Sequence, residues 1–177
     1  ALGSRTDAAI LDCGCGTGFN LTWLRRYGAA VGIDYNGTAL EYAHERGERA
    51  VARATAVRLP FGDARFDLVT SFDVIYSVEE ADERAAIAEM FRILRPGGHL
   101  VLNVAAMELL RGNHSVLGRE VRRYSRTQLA GRLGAAGFEV KRLTYTNASI
   151  FPIGAGVRLV QRLGGHRETQ DEISVAS

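Results

Sequence analysis

An apolar run, Ala8–Cys13 (AAILDC), passes straight into Gly14-Cys15-Gly16-Thr17-Gly18, and 22 residues after Asp12 a second apolar run ends in Asp34. Glycine takes a positive φ without steric cost and lets the backbone come close to a ligand. Three glycines at G-x-G-x-G spacing therefore predict a tight turn from a buried strand into a helix whose amino end faces the same place. In an open parallel sheet, ligands bind beyond the carboxyl ends of the strands, where strand order reverses. No other segment restricts the fold so narrowly.

The rest of the chain switches between apolar periods of about 2 and about 3.6. Helices are expected over residues 17–27, 37–46, 79–94 and 127–136, the third stopped by Arg95-Pro96-Gly97-Gly98. Strands are expected over residues 29–34, 50–57, 66–72, 99–105 and 138–145. Residues 107–123 have no clear period and read as a loop over the site, while residues 153–163 read as an apolar, helical stretch. Strands alternating with helices imply right-handed crossovers and a doubly wound α/β fold, a mostly parallel sheet with helices on both faces. Without internal repeats or linkers, residues 1–177 read as a single domain.

Composition narrows the function classes. A chain of 177 residues buries a core without disulfides or metal staples. The net charge of +2 gives no reason to expect nucleic acid or an anionic membrane as partner. Lys141 is the only lysine among 22 Lys and Arg, which points to a codon bias rather than a function. Cys13 and Cys15 are the only cysteines, too few for a disulfide framework, so a reducing, cytoplasmic setting is expected. No apolar run reaches the roughly 20 residues of a membrane span. The C-x-C pair lacks further ligands nearby, so no metal is expected and the thiols are expected to pack or line the loop.

Asp34 is placed to accept hydrogen bonds from ribose hydroxyls, as in a dinucleotide site. A Rossmann fingerprint reads G-x-G-x-x-G, however, and here Phe19 stands where the third glycine belongs. Asp12, just before the loop, would repel a pyrophosphate but suits a ligand carrying an ammonium group and a sulfonium. The plain structural alternative for the glycine loop is a tight strand-to-helix turn with no ligand.

Ile10-Leu11-Asp12-Cys13-Gly14-Cys15-Gly16-Thr17-Gly18 resembles the first motif of class I S-adenosylmethionine (SAM)-dependent methyltransferases, and Gly32-Ile33-Asp34-Tyr35-Asn36 resembles the second. Arg58-Leu59-Pro60-Phe61, Phe66-Asp67-Leu68-Val69, Ser71-Phe72-Asp73-Val74 and Leu94-Arg95-Pro96-Gly97-Gly98 follow in family order. The resemblance implies a Rossmann-like fold and SAM as cofactor, with S-adenosylhomocysteine as bound product. It also implies that Asp12, Cys13, Gly14, Cys15, Gly16 and Gly18 wrap the methionine part and that Asp34 holds the ribose. Tyr35 and Asn36 would lie along the adenosine, Thr55, Ala56 and Val57 would flank the adenine, and Phe72, Asp73 and Val74 would close over the methionine amino group. Thr55 stands where many relatives carry an aspartate, and a hydroxyl accepts a more weakly held hydrogen bond than a carboxylate.

Asn113-His114-Ser115 and Arg122-Arg123-Tyr124-Ser125 resemble a branch of that family with a His-Asp pair followed by Arg-Arg-Tyr-Thr, Ser115 replacing the aspartate. On that reading His114 is a general base, its pKa already near working pH, while Tyr76, Arg123 and Tyr124 contact the substrate. The alternative is a solvated loop histidine beside structural arginine and tyrosine residues. Relatives have an earlier helical segment and a seventh, antiparallel strand that the ends of this chain do not suggest; truncation at both ends, and a monomer or homodimer, are therefore expected. The expected activity is methyl transfer from SAM to a small-molecule acceptor, O-methylation ahead of N- or C-methylation. The rival classes are a non-catalytic SAM-binding domain and an NAD-dependent oxidoreductase.

Overall fold

Each face of the first strand belongs to a different core, and this alternation organises the molecule. The computed structural model describes residue 3, residues 5–106 and residues 122–145. Strand β1 (Ala8–Cys13) lies between β2 (Gly28–Asp34) and β4 (Phe66–Phe72), with β3 (Val51–Arg53) and β5 (Leu94–Asn103) outside them. All the pairings are parallel, in the order β3-β2-β1-β4-β5. Successive side chains of a strand point to opposite faces. Ala8 and Ile10 accordingly pack with Leu21, Leu24, Ala30 and Leu68 on one side. Leu11 and Cys13 join Ile33, Val69, Ile87, Met90 and Leu129 on the other.

The helices are α1 (Leu21–Leu24), α2 (Gly37–Glu45), α3 (Glu80–Ile93) and α4 (Arg126–Ala135), with a 3₁₀ turn at Ile75–Ser77. Asn36 caps α2 by accepting from the Ala39 N–H. Ser125 and Gln128 form a reciprocal capping box at the start of α4. Helix α3 buries Ala86, Ile87, Met90 and Ile93, each large side chain contributing about 1.5–3 kcal/mol. The doubly wound α/β expectation holds, with α1 on one face of the sheet and α3 and α4 on the other.

Three element expectations are corrected. Residues 17–27 form a much shorter helix, because i→i−3 hydrogen bonds such as Leu21 N to Gly18 O and Tyr27 N to Leu24 O tighten both ends into turns. The third strand is cut to Val51–Arg53, since Thr55 bridges back to Arg58 in a local turn. Residues 138–145 join no ladder among the described residues; together with β5 they line a groove of about 1760 Å³. Residues 153–163 lie outside the described residues.

At the base of the sheet, Gly28 pairs with Ala8 at a φ of +149°. A Cβ there would lie 2.0 Å from the Ala8 carbonyl oxygen, so only glycine fits.

Candidate functional site

Strand order reverses between β1 and β4, and the glycine loop lies at that switch point, at the carboxyl ends of β1 and β2. Gly14, Gly16 and Gly18 all have positive φ (86°, 53° and 75°), as the spacing requires. The loop's amides are engaged within the protein. Gly14 N and Cys15 N both donate to Ile33 O (2.8 and 2.9 Å), Gly18 N donates to Cys15 O (2.9 Å), and Gly16 N donates to Asp34 Oδ2 (2.7 Å). A phosphate cradle needs such N–H groups free and convergent. This loop supplies shape instead.

Asp34 is the organising carboxylate. Oδ2 accepts from Gly16 and Oδ1 from Asn36 N (2.8 Å), which fixes the plane of the group between the loop and the start of α2. Each oxygen keeps a second lone pair, and the side chain is only half-buried, so it can accept two further donors from one side. Tyr35 is exposed beside it, its ring under the Arg53 guanidinium at 5.4 Å, and Arg53 Nε also donates to Tyr35 O. Ala56 and Val57 are half-buried against the core, and Thr55 Oγ1 accepts from Val57 N (3.4 Å). These residues bound one end of the cleft.

The next segment, Leu59 to Asp63, is stapled to α3. Glu89 Oε2 accepts from Leu59 N (2.7 Å), and Arg92 donates to Phe61 O (2.8 Å), Leu59 O (3.3 Å) and Asp63 (2.7 Å). Arg92 also pairs with Glu89, which holds that carboxyl below its usual range and the guanidinium above its own.

Asp12 has a different environment from that expected of a ligand for an exposed ammonium. It is fully buried, and Oδ1 accepts from Thr70 Oγ1 at 2.7 Å. Burial raises its pKa, opposed by the hydrogen bond from Thr70. Oδ2 is buried and makes no hydrogen bond of ordinary geometry among the described residues, while Asn20 stands near enough to the carboxyl to oppose the effect of burial. Cys13 is a core residue and Cys15 is buried against Gly32; burial pushes both thiols up to about 12, which keeps them neutral. Among the described residues no group of three or more His, Cys, Asp or Glu is arranged to hold a metal.

The opposite wall comes from the end of β4. Phe72 stacks on Trp23 with ring centroids 6.5 Å apart. Asp73 has a φ of +61°, a conformation in which Asp is tolerated better than most residues. Val74 lies on the glycine loop so closely that a Cβ on Gly14 would fall 2.1 Å from its Cγ2. Gly14 is thus required by a protein contact as well as by its φ.

Tyr124, expected to contact the substrate, is a buried residue in this structure. It is 3% exposed, its hydroxyl donates to Ile75 O (3.3 Å), and burial pushes its pKa up to about 12. Arg123 Nη1 donates to the backbone oxygen of Ala106 (3.0 Å). Tyr76 is half-buried against the main core, and its carbonyl accepts from Arg122 N. His114 lies outside the described residues. Sequence reasoning missed Glu83, which is completely buried on α3 and paired with both Arg122 and Arg132. A signal existed: Glu83 falls on the same stripe as Ala86, Ile87 and Met90, at i, i+3, i+4 and i+7.

No helix among the described residues is long and apolar enough to cross a membrane. Comparison with known proteins agrees with this geometry. The family model described as "Methyltransferase domain" matches residues 11–102. The human "Probable tRNA methyltransferase 9B" is 42% identical over 105 residues, covering 59% of this chain and 23% of that protein. The "O-methyltransferase cnsE" of Penicillium expansum is 32% identical over 157 residues, covering 81% of this chain and 56% of that protein. This chain therefore spans about a quarter and about half, respectively, of those relatives' own length. Among solved structures, the YcgJ protein of a Bacillus superposes with a TM-score of 0.70 at 22% identity, over 97% of this chain and 82% of that one, a likeness of fold. With the family model covering more than half of its 177 residues, the chain belongs to the methyltransferase domain family, in the class I SAM-dependent group.

Proposed function

We propose that the chain binds SAM across the carboxyl ends of β1, β2 and β4 and transfers its methyl group to a small-molecule acceptor, O-methylation being favoured, with S-adenosylhomocysteine as product. One observation carries the cofactor assignment: the Asp34 carboxylate is fixed by Gly16 N and Asn36 N with acceptor capacity left for two ribose hydroxyls. The engaged amides of Gly14, Cys15, Gly16 and Gly18 favour a ligand without phosphates, and so SAM over NAD. Tyr35, Thr55, Ala56 and Val57 would flank the adenosine, while Gly14, Asp73 and Val74 would border the methionine part.

When bound, SAM supplies the electrophilic methyl group. The chain's own residues then need only align an acceptor for in-line displacement and exclude water, a role in which effective molarity provides most of the acceleration. The low net charge and the likeness to an O-methyltransferase support a small acceptor. The likeness to a tRNA methyltransferase supports a second reading, with an RNA acceptor.

Calorimetric titration with S-adenosylhomocysteine, with NAD as control, tests the cofactor assignment. Micromolar binding is expected for the first and none for the second, and Asp34→Ala should weaken the first at least about a hundredfold, because two charge-assisted hydrogen bonds are lost. Binding of NAD alone would sink the methyltransferase reading. Label transfer from SAM to a panel of phenols and carboxylates, set against bulk tRNA, decides between the two acceptors.

A further inference from the structure

The short strap that follows β4 carries Asp73 and Val74 over the glycine loop, and residues from beyond β5 hold it there. Asp73 N donates to Asn103 O (3.0 Å), and Ser77 donates twice to Val74 O, through N (3.0 Å) and Oγ (2.7 Å). These bonds tie the strap to β5 and close a turn. A left-handed φ at a non-glycine residue persists only where the surroundings over-determine it. Two backbone oxygens of the strap are also held from beyond β5. Tyr76 O accepts from Arg122 N (3.2 Å), and Ile75 O accepts from the Tyr124 hydroxyl (3.3 Å). Tyr124 N in turn bonds to Ala105 O (2.9 Å) at the end of β5.

Arg122 and Tyr124 are themselves held from below. Glu83, with no solvent exposure, receives Arg122 Nη1 and, at 2.8 Å, Arg132 Nη1 on the same oxygen, Oε2. A buried ion pair is poor evidence of stabilisation, because desolvation offsets most of the attraction. Its best-attested use is to fix one arrangement among several. Here the arrangement fixed is the meeting of α3, the entry to α4 and the strap.

We propose that Glu83, Arg122 and Tyr124 are positioning residues for the methionine end of the cofactor site: they brace residues 73–77 so that Val74 rests on Gly14 and the Asp73 backbone is preset before ligand arrives. This rests on the SAM reading above. It gives the Arg-Arg-Tyr segment a role behind the site wall in place of substrate contact.

The ligand's two halves separate this role from a merely structural one. Adenosine uses the Asp34 side alone, whereas S-adenosylhomocysteine also reaches the strap. Titration of the full chain with each, on wild type, Tyr124→Phe and Glu83→Gln, with exposed Arg84→Ala as control, reads the difference. Tyr124→Phe removes one hydroxyl and should weaken S-adenosylhomocysteine about fivefold, the measure of one hydrogen bond. Glu83→Gln should weaken it more than about tenfold, since two guanidinium groups lose a charged partner. Adenosine should stay within about twofold of wild type in both, and Arg84→Ala should change neither. Equal losses for the two ligands, or unchanged affinities with a lowered melting temperature, would overturn the brace. If Glu83→Gln fails to fold, Tyr124→Phe decides alone. Absence of S-adenosylhomocysteine binding by wild type overturns the SAM reading, and the brace with it, and is told apart by that first titration.

Discussion

The two walls of the cleft are built on different principles. The β1–β2 wall is made by the backbone: glycines with positive φ, amides turned onto Ile33 O, and one carboxylate, Asp34, joined to the loop by N–H groups. The β4 wall is Phe72, Asp73 and Val74, held through the carbonyls of Ile75 and Tyr76 by the Tyr124 hydroxyl and Arg122 N from beyond β5, with Arg122 paired in turn to the Glu83 side chain of α3. Backbone construction leaves few ways to vary a wall without unfolding it. Side-chain construction lets residues change while the frame remains.

The contact between the walls is the place to break this division. Gly14→Ala adds a Cβ 2.1 Å from Val74 Cγ2 at a φ of +86°, and should cost about 3 kcal/mol in urea unfolding, from overpacking and backbone strain together. Adding Val74→Ala should restore the overpacking share; no recovery would mean that the walls are not coupled there. Next in size, Arg92→Ala removes donors to Leu59 O and Phe61 O and should cost about 1–2 kcal/mol, with faster amide exchange in residues 59–63. Unchanged exchange would show that the Leu59 to Asp63 segment needs no staple from α3.

The smallest effect concerns Asp12 and sharpens the comparison through pH. Burial raises its folded pKa, so the folded chain holds the proton more tightly than the unfolded chain. Its contribution to stability is complete below the unfolded pKa and is lost as pH rises through the raised folded value. Asp12→Asn removes that dependence. Stability of wild type relative to the variant should therefore fall from acid to neutral pH, measured by melting at matched ionic strength. A relative gain by wild type would show that a positive group stabilises the carboxylate in the fold.

Sequence legibility divides along the same line. Ala8–Cys13 and Phe66–Phe72 are found at their expected bounds, because a strand buried on both faces must be a short continuous apolar run. The glycine spacing and Asp34 were legible because φ and ribose chemistry each restrict the residue type. Glu83 was not, because its meaning comes from Arg122 and Arg132, 39 and 49 residues away in sequence. Tyr124 was read as a ligand contact from its motif, and only burial shows that its hydroxyl is turned to Ile75. Residues 138–145 start with the alternation of a strand, but it changes parity at Lys141-Arg142, and they pair with no strand among the described residues.

Gly28 carries a consequence for how the chain finds its fold. Side chains alternate along a strand, so a slip of one residue between β1 and β2 would exchange their faces. It would also bring Tyr27 or Ala29 opposite Ala8, where the native pairing holds a glycine at a φ of +149° that a side chain disfavours. The misaligned pairing is rejected at the base of the sheet, about 20 Å from Asp34 at roughly 3.3 Å per residue. Whether the Asp34 carboxylate meets Gly16 N thus depends on a glycine at the opposite end of the strand pair.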